Sequence, residues 1–64
     1  MDPNETLQKF MDALISGDHG ATVEAHGDLT AWLARGGFEP EWRNRRNLFE
    51  AFDPETGLVD VAAV

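Results

Sequence analysis

The chain has 64 residues, the length of one small domain, and a domain of this size buries only about 60% of the surface exposed by its unfolded chain. It contains no cysteine, which excludes disulfides, thiolate zinc sites and thiol nucleophiles. Twelve acidic against five basic side chains give a net charge of −7, which is unsuited to wrapping nucleic-acid phosphates. We expect one domain, residues 1–64, whose small core favours self-association or a partner protein.

The first predicted element is an amphipathic helix over residues 3–16. Asp2 is a suitable N-cap, Pro3 fits the first helical position, and Gly17 suits the position after the last turn. Between them, apolar residues recur at the spacing of one helix face: Leu7, Phe10, Met11, Leu14 and Ile15.

A second helix is predicted over residues 18–35, with Asp18 as its N-cap and two consecutive glycines after Arg35. One face of this helix carries Thr22, Ala25, His26, Leu29, Trp32 and Leu33. The short link between the two helices requires them to pack antiparallel. Residues 1–37 are therefore predicted to form a helical hairpin, and residues 38–64 a C-terminal segment.

The C-terminal segment allows two interpretations. Pro40 with acidic neighbours predicts a third helix over residues 40–52, which Asp53 and Pro54 would end, leaving an extended tail and a mainly α fold. The alternative is an α+β fold. The residues at 53–57 are typical of a turn and lie between two apolar stretches, so a C-terminal β-hairpin is also possible.

Catalytic and metal chemistry find little support in the sequence. His19 and His26 lie seven residues apart, about 10.5 Å along a helix, which is too far for both to bind one zinc ion. The single serine, Ser16, lies at a predicted helix end without a glycine elbow. We therefore expect no catalytic residue, no metal ligand and no cofactor, and we do not expect an enzyme.

Charge is distributed unevenly along the chain. Residues 1–34 carry a net charge of −5, residues 35–46 carry +2, and residues 47–64 carry −4. The basic segment contains Arg43, Arg45 and Arg46, which could bind phosphate but more simply neutralise neighbouring glutamates. A nucleic-acid partner is accordingly not expected, and direct binding through these arginines is the weakest of the functions considered.

Aromatic and arginine side chains cluster near the end of the second predicted helix. Their spacing is typical of core packing where the chain turns back, and also of an anchor for a partner protein, because tryptophan and arginine dominate many interfaces. The candidate partner-binding residues are Trp32, Phe38, Trp42, Arg43, Arg45 and Arg46.

These features favour a non-catalytic, acidic protein–protein interaction or regulatory module, which could also associate with itself. The alternative is an acidic mimic of nucleic acid that binds a basic protein, because a patterned negative surface attracts such a partner. The longest apolar run is too short to span a membrane, and no apolar leader follows Met1. We expect a cytoplasmic protein that does not bind membranes.

Overall fold

The computed structural model describes residues 1–59 of the chain. Its elements are α1 (Pro3–Ser16), α2 (His19–Ala34), α3 (Arg46–Ala51), β1 (Phe52–Asp53) and β2 (Leu58–Val59). The molecule is mainly helical, and α1 and α2 pack against each other as the predicted hairpin. The second helix is one residue shorter at each end than predicted, because Asp18 and Arg35 are its cap residues.

Local capping interactions place the two long helices. The Asp2 carboxylate accepts a hydrogen bond from the backbone N–H of Asn4 at 2.9 Å, and the Asp18 carboxylate accepts one from Ala21 at 3.1 Å. Between them, Gly17 has a φ of 78°, a left-handed conformation that ends α1. The chain therefore reverses within two residues, and α2 runs antiparallel to α1.

The third helix corrects the prediction of a helix over residues 40–52. It begins at Arg46 and has six residues, because Arg43 and Asn44 take left-handed φ values of 49° and 67° that interrupt any helix from Pro40. Pro40 is instead a buried residue of the connecting segment, residues 35–45. The backbone N–H of Glu41, the next residue, donates to the side chain of Asn4 at 2.7 Å.

A short β-hairpin follows α3 directly. Its antiparallel strands pair Phe52 with Val59 and Asp53 with Leu58, and the turn between them includes Gly57 at a φ of 73°. Both interpretations of the C-terminal segment are thus partly correct, since a shorter helix and a β-hairpin occur together. The predicted tail continues into residues 60–64, which lie outside the described part of the chain.

The core forms where α3 and β1 cover one face of the helical hairpin. Its buried side chains are Leu7, Phe10, Ala25, Leu29, Phe49 and Phe52. The ring of Phe10 meets the rings of Phe49 and Phe52 edge to face, at centroid distances of 5.6 and 5.3 Å. Ile15, predicted to belong to the buried face of α1, is 79% exposed, so that prediction was wrong. Within residues 1–59 no helix has the length and apolar character needed to cross a membrane.

Candidate functional site

At the end of α2 the rings of Trp32 and Phe38 meet, and Gly37 lies between them in the chain. We call these three residues the aromatic corner. The indole N–H of Trp32 donates a hydrogen bond to the backbone oxygen of Phe38 at 2.9 Å. The two rings meet edge to face, with centroids 5.5 Å apart. The Trp32 side chain thus contacts both the backbone oxygen and the ring of Phe38.

Glycines shape this corner. Gly36 has a left-handed φ of 82°, which turns the chain at the end of α2, and its N–H donates to the Leu33 oxygen at 3.1 Å. The Gly37 backbone lies directly against the Trp32 indole, where a side chain would collide with the ring. Phe38 follows directly, and it is 64% exposed although its backbone oxygen and its ring contact Trp32.

The sequence suggested that Trp32, Phe38 and Trp42 gather together, but within residues 1–59 the ring contact of Trp42 is with Phe49 and not with the aromatic corner. The Trp42 ring packs on Phe49 at 5.4 Å, and its indole N–H donates to a Glu39 carboxylate oxygen at 3.3 Å. The guanidinium of Arg46 lies 5.8 Å from the centroid of the same ring. Trp42 therefore helps to attach the connecting segment to α3.

The three candidate arginines are engaged with other residues of the chain. Arg43 pairs with Glu41 at 3.1 Å, and Arg46 pairs with Glu50 at 2.8 Å and with Glu39 at 3.3 Å. The hydrogen bond with Glu50, together with the negative charges of Glu39 and Glu50, raises the pKa of Arg46. These pairs are exposed, so solvent screens them and they contribute little to stability.

Arg45 differs from its two neighbours because its guanidinium bridges parts of the fold. It donates to the Gln8 side chain on α1 at 3.2 Å and to the backbone oxygens of Trp42 and Glu41 at 3.0 and 3.3 Å. These bonds stabilise the connecting segment against the helical hairpin. Arg45 is thus a structural residue in addition to being a candidate contact.

Sequence reasoning missed a groove between α1 and α2, which we call the helical groove. It has a volume of about 530 Å³ and is lined only by residues of these two helices. We call its small lining residues the floor: Thr6, Ala13 and Ala25, which are buried, and Ala21, which is exposed. Its rim consists of Lys9, Asp12, Ser16, Glu24 and Asp28. Two alanines one helical turn apart on α2, the exposed Ala21 and the buried Ala25, were the sequence signal that could have indicated it.

His26 faces the core rather than a ligand site. Its imidazole stacks on Phe49 at 4.6 Å and lies 5.0 Å from Phe52 and 5.9 Å from Phe10. Burial lowers the pKa of His26, and a hydrogen bond with the Phe49 backbone offsets part of this effect. Across the described residues, no three His, Asp or Glu side chains converge to form a metal site.

Comparisons with protein-family models, with curated proteins and with solved structures find no match to this chain. Its function therefore has to be inferred from its own surfaces. Within residues 1–59 we consider two surfaces further: the aromatic corner, which presents an apolar ring to solvent, and the helical groove, whose lining includes three carboxylates.

Proposed function

We propose that the protein is a non-catalytic protein–protein interaction module and that the aromatic corner is its main contact with a partner. One observation supports this most strongly. Phe38 is 64% exposed although its backbone oxygen and its ring both contact Trp32. A large apolar ring that is held by such contacts and still faces solvent is a feature expected of a binding anchor.

The energetic argument concerns preorganisation. Burying a phenylalanine side chain in an interface contributes about 1.5–3 kcal/mol. Ordering a mobile side chain on binding costs about 0.5–1.5 kcal/mol, and a ring that is already held avoids part of that cost. Arg35 adds a cation beside the same surface, 5.8 Å from the Trp32 ring centroid. Aromatic and arginine side chains together are characteristic of interface hot spots.

The other candidate residues take secondary roles in this proposal. Trp42 and Arg45 hold the connecting segment in place, so their effect on binding is indirect. Arg43 and Arg46 lie in exposed ion pairs, which suits the polar rim of an interface better than its centre. A cytoplasmic location is part of the proposal, supported by the absence of cysteine from a chain small enough to benefit from disulfides.

The test compares two exposed apolar side chains. The wild-type chain, a Phe38→Ala variant and a Leu58→Ala variant are immobilised and used for affinity capture from the native cell, and light scattering measures self-association of each. Leu58 is 68% exposed and lies on β2, so it is the matched control. We expect Phe38→Ala to lose the captured partner or the dimer, and Leu58→Ala to retain it. Equal capture by both variants would refute the role of the aromatic corner.

Acidic mimicry of nucleic acid is a second candidate, supported by the distribution of ion pairs. Those found within residues 1–59 all lie between Glu39 and Glu50, so the net negative charge of residues 1–34 is not compensated by close cations. Binding by a mimic should collapse between low and moderate ionic strength, because it depends on charge. Binding through the aromatic corner should persist over the same range.

A further inference from the structure

The helical groove leads toward the aromatic corner. On α2, residues at positions 21, 25, 28 and 32 follow the spacing of one helix face, and the first three line the groove. Trp32 is thus one turn beyond Asp28 on the same side of the helix. From Ala21 to Trp32 the distance along the axis is about 17 Å, which equals about three helical turns.

The rim of the groove is negatively charged. Asp12 on α1 and Glu24 and Asp28 on α2 contribute three carboxylates, against one ammonium group from Lys9. Asp12 accepts a hydrogen bond from Gln8 at 2.9 Å, and no ion pair in the described part of the chain includes a rim carboxylate. The groove lining therefore carries a net charge of −2, from three carboxylates against one ammonium group, and the excess lies on the α2 side with Glu24 and Asp28.

We propose that the helical groove binds a basic amphipathic helix of a partner protein. Small apolar side chains of that helix pack over Ala21 and Ala25, while its lysine or arginine side chains pair with Asp12, Glu24 and Asp28. This inference rests on the proposed function and adds the chemical class of the partner. The aromatic corner then contacts the end of the same bound helix.

The shape and the charge of the helical groove both favour a basic helix over other ligands. An alanine floor lets another helix approach closely, whereas an extended peptide usually adds to an exposed sheet edge. A second copy of this chain carries the same acidic rim and a net charge of −7, so like charges would oppose its binding. Nucleic acid is disfavoured for the same reason.

The first experiment selects binders without assuming their sequence. A displayed library presents helical peptides of about 15 residues, with a fixed leucine and alanine face and flanking positions that vary among lysine, glutamate and glutamine. The full chain is the target, at an ionic strength of about 0.15 M. We expect recovered peptides to be enriched in lysine at the flanking positions. Recovery of no binder, or equal enrichment of glutamate or glutamine, would overturn the proposal.

A second experiment locates the bound peptide by filling the groove. The peptide recovered most often is titrated against Ala21→Trp, which places a large ring on the groove floor, and against Ala34→Trp, the control at the end of α2. Both alanines are exposed, so neither substitution disturbs the core. We expect Ala21→Trp to weaken binding by at least about tenfold and Ala34→Trp by less than about twofold. Equal affinities for the two variants would place the peptide elsewhere.

Charge reversal tests the rim in the same titration. Glu24→Lys is compared with Glu55→Lys, an equal change of charge at an exposed residue of the β-hairpin turn. We expect a loss of at least about tenfold for Glu24→Lys and less than about twofold for Glu55→Lys. Equal losses would show that only net charge matters and would contradict a defined groove. The two proposals can fail separately. If affinity capture finds a partner that depends on Phe38 but the peptide library yields no peptide that binds the helical groove, this inference is refuted and the proposed function stands.

Discussion

At position 26, an imidazole ring lies among three phenylalanine rings contributed by α1, α3 and β1. The pKa of His26 is lowered by burial, so protonation is less favourable in the folded than in the unfolded chain. Its contribution to stability is therefore complete above the unfolded value of about 6.5, and is lost as pH falls from there through the lowered folded-state pKa.

The corresponding prediction compares histidine variants. Urea denaturation of the wild-type chain should show a loss of stability as pH falls below about 6.5, and this loss should be smaller in His26→Gln. His19→Gln is the control, because His19 is exposed at the start of α2, and it should follow the wild type. If His26→Gln and the wild type lose the same stability over this range, His26 is not the group responsible.

The roles of single residues could be predicted from sequence where they depend only on neighbouring residues in the chain. The N-caps Asp2 and Asp18 and the terminating Gly17 were predictable, because their hydrogen bonds and φ values involve only neighbouring residues. The exposure of Phe38 was not, since it depends on where the Trp32 indole lies after the chain has turned. The spacing of Trp32, Phe38 and Trp42 suggested one buried cluster, whereas Trp32 and Phe38 form a pair in which Phe38 is exposed.

Among the helices, α1 and α2 followed their sequence signals and α3 did not. Pro40 and its acidic neighbours resemble a helix start, but Arg43 and Asn44 adopt left-handed conformations, which asparagine tolerates and arginine rarely adopts. The contacts of Arg45 with α1 and of Glu41 with Asn4 hold this segment in place. Tertiary hydrogen bonds thus outweighed helix propensity.

Gly27 provides a prediction for α2 itself. It is an exposed residue in the middle of the helix, and a side chain added there would meet no atom within 4 Å. Gly27→Ala should therefore raise the free energy of unfolding by up to about 1 kcal/mol. Gly17→Ala, at a φ of 78°, should lower it by about 1 kcal/mol. Thermal denaturation of both variants checks the pair, and a destabilising Gly27→Ala would contradict the open surroundings described here.

For the molecule as a whole, one small core joins the helical hairpin to the C-terminal segment. A chain of this length has a total stability of about 3–10 kcal/mol, so the loss of one core side chain is a large fraction of it. Leu29 is fully buried and Ile15 is 79% exposed, although both are large aliphatic residues in helices.

Leu29→Ala should lower the free energy of unfolding by about 2–5 kcal/mol, whereas Ile15→Ala should change it by less than about 0.5 kcal/mol. Urea denaturation followed by circular dichroism measures both. Equal effects would mean that the core does not lie where α3 and β1 cover the hairpin.

Whole-molecule features were the hardest to predict from sequence. The helical hairpin could be predicted because helix periodicity and a two-residue link determine it. The helical groove could not, since its lining comes from both α1 and α2 and forms only when the two helices pack together. The candidate arginines were identified correctly as a basic segment, but their ion pairs within the chain depend on the turn before α3.

Photo-crosslinking from position 38 tests the central claim most directly. A photoreactive phenylalanine analogue replaces Phe38 in the full chain expressed in its native cell, and the same analogue at Leu58 is the control, because both side chains are largely exposed. We predict a defined adduct with one protein from position 38 that is absent from position 58. The same adducts from both positions, or none from position 38, would contradict the assignment of the aromatic corner as the partner-binding surface.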